Sequence, residues 1–93
     1  MKRLAAVAIF AMCLPTVVLA DREKANMCAV SLPADAKRIY NEVVPSITAT
    51  TNIKRIARRQ ANLLARTGKI DRTNVAASTL QARACLRLAR PGR

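Results

Sequence analysis

With 93 residues, 17 basic against 5 acidic side chains and no histidine, the chain has room for one small domain and carries a net charge of +12. The lack of histidine removes the commonest general base and the commonest zinc ligand, and the two far-separated cysteines Cys28 and Cys85 do not form a zinc set. Asp35 and Glu42 would sit about two helical turns apart and read as solvated surface, and the two glycines, Gly68 and Gly92, make no phosphate loop. Composition therefore points away from an enzyme, and no cofactor, metal or small-molecule substrate is expected.

The chain begins with the layout of a secretory signal peptide. Lys2 and Arg3 are a basic start, Leu4–Leu14 is apolar throughout, and Pro15 breaks the run. Val18, Leu19 and Ala20 precede the polar Asp21–Lys24, so cleavage is expected after Ala20. An uncleaved anchor fits less well, because a spanning helix needs about 20 apolar residues without a nearby proline. A lipoprotein also fits less well, because Met12 stands where a lipid-attachment box needs a small residue before Cys13. The expectation is a protein of a bacterial periplasm or secreted fraction, with residues 1–20 removed and a single helical domain at 21–93. Removing Lys2 and Arg3 takes the net charge from +12 to +10.

Cleavage would also remove Cys13. Cys28 and Cys85 then remain, and in an oxidising compartment they are expected to pair. A domain of this size has a marginal core and gains from such a staple.

Asp21–Val30 shows no clear apolar period and reads as a flexible arm tied down by Cys28. Three helices are expected after it. The first, about 33–44, starts at Pro33 with Asp35 near its positive end and buries Ala36, Ile39, Tyr40, Val43 and Val44. Pro45 stops it. The second, about 51–66, is capped by Thr50 or Thr51 and ended by Gly68 in a left-handed conformation. Its apolar face is Ile53, Ile56, Ala57, Ala61, Leu63 and Leu64, with Gln60 inside it. The third, about 72–89, starts at Asp71 or Thr73 and stops at Pro91. Rich in alanine and leucine, including Leu80 and Leu88, it is expected to be the most buried. Tyr40 is expected in the core with its hydroxyl at the rim. The reading is an all-α, three-helix bundle with an N-terminal arm stapled by Cys28–Cys85.

Charge divides the chain. Residues 21–53 are neutral, whereas Lys54–Arg93 contains 11 basic residues and only Asp71 as an acid. Lys54, Arg55, Arg58, Arg59 and Arg66 occupy the polar face of the second helix. Lys54/Arg58 and Arg55/Arg59 are like-charge pairs four apart, each disfavoured by about 0.2–0.5 kcal/mol. Lys54 and Arg55 also oppose the helix dipole, and an anion would reverse the sign of both effects. These five residues are the candidate anion-binding site, extended by Arg72, Arg83, Arg87 and Arg90 on one stripe of the third helix. The plain alternative is a solvated basic surface set by an arginine- and alanine-rich composition.

Two partner classes follow. One is an anionic membrane surface, anionic lipid or lipid A. The other is an acidic protein docked by an inhibitor or assembly factor. Nucleic acid is disfavoured, because Tyr40 is the one aromatic residue after the signal available to stack on a base.

Overall fold

The computed structural model describes residues 16–91. Its described residues form four α-helices, α1 (Thr16–Val30), α2 (Ala34–Val43), α3 (Ile53–Arg66) and α4 (Val75–Leu86), with short 3-10 turns at Val44–Ser46, Arg72–Asn74 and Arg87–Ala89. The basic start of the predicted signal and Cys13 lie outside the described residues. No described helix is long and apolar enough to cross a membrane.

The all-α expectation holds, but the three-helix expectation is corrected to four. The segment read as a flexible arm is the body of α1. Ala, Arg, Glu, Lys and Met are strong helix formers, so local propensity favours the helix. The apolar period is hidden because the inward positions are small: Ala25 and Ala29 are buried, while Met27 and Val30 are each 72% exposed. Small inward side chains let α1 lie close along α4 and the Arg87–Ala89 turn. Ser31 and Leu32 close α1 with hydrogen bonds to the carbonyls of Cys28 and Ala29. Pro33 then opens α2 in extended backbone.

α2, α3 and α4 pack pairwise around one core. Ile39, Tyr40, Val43, Cys85 and Leu86 are its largest fully buried side chains. Ile39, Val43 and Leu86 each contribute about 1.5–3 kcal/mol on removal from water. Tyr40 sits where the sequence places it, and its hydroxyl donates to Asn26 Oδ1 at 2.6 Å, tying α2 to α1. Cys28 and Cys85 are disulfide-bonded with Cα atoms 5.5 Å apart, which pins α1 to α4.

Other boundaries shift for local reasons. Pro45 lies within the 3-10 turn that continues α2 rather than just after the helix. Asn52, not Thr50 or Thr51, caps α3, its Oδ1 accepting the Arg55 N–H at 3.1 Å. Thr51 Oγ1 is used by the preceding loop, accepting from Thr48 N at 2.8 Å and donating to the Ser46 carbonyl at 3.2 Å. Gly68, with φ of 76°, ends α3 as expected. There the N–H groups of Lys69 and Gly68 reach back to the carbonyls of Leu64 and Ala65 at 2.8 and 3.1 Å, the paired bonds of a Schellman stop.

Two packing expectations are also corrected. In α3, Leu63 is 46% exposed and Ala65 is buried in its place. In α4, Leu80 is 61% exposed and, just beyond it, Leu88 is 42% exposed, while Ser78 and Thr79 are buried. The Thr79 hydroxyl satisfies itself on the Val75 carbonyl at 2.6 Å. α4 touches all three other helices, so most of its inward positions take small side chains, while Leu86 is its one buried leucine and Leu80 falls on the outer strip.

Candidate anion-binding groove

The five predicted residues do not form one patch. Lys54, Arg58, Asn62 and Arg66 recur every four residues along one slanting row of α3, whereas Arg55 and Arg59 lie about 100° further round the helix than Lys54 and Arg58 beside them. The first row runs along the seam between α3 and α4. All five cations are exposed.

The seam forms a groove of three joined depressions. At one end, Thr50, Asn52, Ile53 and Lys54 face Arg83, Arg87 and Arg90 around about 470 Å³. In the middle, Arg58 and Asn62 face Arg72, Thr73, Leu80 and Arg83. At the far end, Asn62, Ala65 and Arg66 face Arg72 and Val75. Arg83 belongs to the first two depressions and Arg72 to the last two. The groove thus gathers seven cations from both sides of the seam: Lys54, Arg58, Arg66, Arg72, Arg83, Arg87 and Arg90. Arg55 and Arg59 do not line it.

One contact holds the first depression in shape. Arg90 Nη2 donates to the Thr51 carbonyl at 2.6 Å, anchoring the guanidinium beside the start of α3. The Nε atoms of Arg83 and Arg90 are buried and have no hydrogen-bond partner within the described protein. The helix start itself contributes less than expected. Of its free first-turn donors, the Arg55 N–H is taken by the Asn52 side chain.

Acidic relief near the groove is slight. Asp71 is the one acid after Glu42. Its carboxylate accepts the Thr73 N–H at 3.0 Å and the Thr73 hydroxyl at 2.8 Å. The backbone bond first, and the hydroxyl bond second, hold its pKa below the ordinary aspartate value. Asp71 is therefore an ionised cap for the turn before α4.

A second depression, lined by Pro33, Asp35, Asn74, Ser78 and Gln81, lies between α2 and α4. Its carboxylate, Asp35, already accepts the Asp71 N–H, and no cation lines it. Among the described residues no group of three or more His, Cys, Asp or Glu side chains is placed to hold a metal.

The signal for the α4 side of the groove was present in the stripe Arg72, Arg83, Arg87 and Arg90. Periodicity did not show that this stripe meets Lys54 and Arg58 rather than Arg55 and Arg59. Thr50, Asn52, Asn62 and the exposed Leu80 were missed as lining residues, because polar loop residues and a leucine carry no charge pattern.

Fold and site together describe a small, disulfide-stapled helical domain with a basic inter-helix groove. Comparison with family models, with curated proteins and with solved structures returned no match.

Proposed function

We propose that this is an exported, non-enzymatic protein that binds an anionic envelope surface, anionic lipid or lipid A, through the α3–α4 groove. The observation that supports this reading is the convergence of seven cations along one seam with no carboxylate lining it. Holding them together in the free protein sets like charges side by side. Contact with an anionic surface converts each repulsion into an attraction of about 1 kcal/mol per cation near the headgroups. Export is supported by the signal-like residues 1–20, and the Cys28–Cys85 bond is compatible with it.

An acidic protein partner is the second reading. The feature in its favour is Leu80, 61% exposed between Arg58 and Arg83, where an apolar anchor would sit amid ion pairs.

Co-sedimentation with anionic and zwitterionic liposomes at low and physiological salt tests the first reading. Binding is expected to anionic vesicles alone, to weaken with salt, and to fall in Arg58→Glu/Arg87→Glu more than in Arg55→Glu/Arg59→Glu. No binding at low salt refutes the surface reading. Loss of binding to a captured acidic protein on Leu80→Ser would favour the second.

A further inference from the structure

We propose that the end of the groove formed by Lys54, Arg83, Arg87 and Arg90 is a discrete seat for a terminal phosphate group, a phosphomonoester or pyrophosphate. This inference rests on the reading of the groove as anion-binding and names the chemistry of one end of it.

Two observations carry it. The cations come from opposite walls of one depression, so they converge on a volume rather than lie along a plane. Arg90 is held in place by its Nη2 bond to the Thr51 carbonyl at 2.6 Å, so its charge is already fixed at the edge of the depression.

The geometry selects among anions. A carboxylate offers two oxygens in one plane and satisfies one guanidinium fork well. A terminal phosphate presents three outward oxygens and up to two negative charges, so several forks bind it together. A flat sheet of phosphodiesters does not enter a concave seat between two helices, whereas a protruding monoester does. The hydroxyl of Thr50 and the amide of Asn52 on the rim add polar groups suited to a phosphate oxygen.

The test uses protein purified from cells expressing the full chain, labelled with nitrogen-15, and inorganic pyrophosphate as probe. Saturable shifts are expected in the side-chain Nε–H signals of Arg83, Arg87 and Arg90, and not in those of Arg55 and Arg59. Lys54→Gln/Arg87→Gln, two exposed positions, should weaken pyrophosphate binding about tenfold or more. Arg55→Gln/Arg59→Gln removes the same charge and should stay within about twofold of the parent. Thermal melts of both variants check the fold. Shifts that follow ionic strength alone, or equal weakening in the two variants, overturn the seat.

Vesicles separate the sources of the phosphate. Phosphatidic acid preferred over phosphatidylglycerol at matched surface charge supports the seat and names a lipid headgroup. Saturable pyrophosphate binding with no such preference supports the seat and names a free phosphate. If vesicles bind but pyrophosphate does not, the seat falls and the broader surface reading stands. If neither binds at low salt, both fall.

Discussion

The carboxylate of Asp35 accepts the backbone N–H of Asp71 at 3.0 Å, across 36 residues of sequence. The bond joins the first turn of α2 to the residue that caps the turn leading into α4. Asp35 also stands where the α2 dipole favours an anion. Asp35→Ala should lower stability by about 1 kcal/mol, and Asp35→Asn, which keeps an acceptor but loses the charge, by about half that. Urea unfolding of the two variants is the measurement. Equal losses would assign the effect to the dipole and leave the bond without a role.

The Cys28–Cys85 bond closes 57 residues of separation, nearly the whole helical domain. In the chain-entropy view a loop of that length stabilises by about 4 kcal/mol. That is comparable to all the net stability a core this small supplies. Urea unfolding with and without reductant should show the midpoint collapse on reduction, and Cys28→Ser/Cys85→Ser should behave like the reduced protein. An unchanged midpoint would mean that helix packing alone holds α1.

Tyr40 provides an alkaline signature. Burial raises its pKa above the ordinary value of 10.0, while Arg22 lowers it by a smaller amount. The folded state therefore holds the phenolic proton more tightly than the unfolded chain does. Stability from this source is complete below the unfolded value, falls as pH rises above it, and is lost on passing through the raised folded value. Thermal melts should show a lower transition above about pH 10. Tyr40→Phe should cost about 1 kcal/mol near neutral pH through the lost bond to Asn26, and should flatten that alkaline decline. A decline of the same size in Tyr40→Phe would assign it to other groups.

Two leucines of α4 separate core from groove. Leu86 is fully buried and Leu80 is 61% exposed. Leu86→Ala should cost about 2–5 kcal/mol, the range for a core leucine, whereas Leu80→Ser should stay within about 0.5 kcal/mol. Chemical denaturation decides. A large loss in Leu80→Ser would place that residue in the core, as its sequence pattern suggests, and remove it from the groove rim.

The helical class, the start and end of α2 and α3 to within a residue or two, the stop at Gly68 and the pairing of Cys28 with Cys85 were legible in the sequence. Each rests on a strong local or combinatorial signal: alternation of Ile39, Tyr40 and Val43 at helical spacing, a glycine after a run of helix formers, and two cysteines left after the predicted cleavage. α1 was not legible, because its buried stripe is built from Ala25 and Ala29, which contribute almost no contrast to a hydropathy pattern. The outward turn of Leu63 and Leu80 was hidden for the converse reason: a large apolar residue reads as core wherever it stands.

The site divides in the same way. Sequence alone determined that the positive charge sits after residue 53 and that Lys54, Arg55, Arg58, Arg59 and Arg66 share the polar side of one helix, because charge and period are properties of the chain itself. Only tertiary structure decided which of them face Arg83, Arg87 and Arg90. That depends on how α3 is rotated against α4, an arrangement in which Ala57, Ala61 and Ala82 are buried in the core. A groove belongs to two helices at once, and no periodicity within either one specifies it.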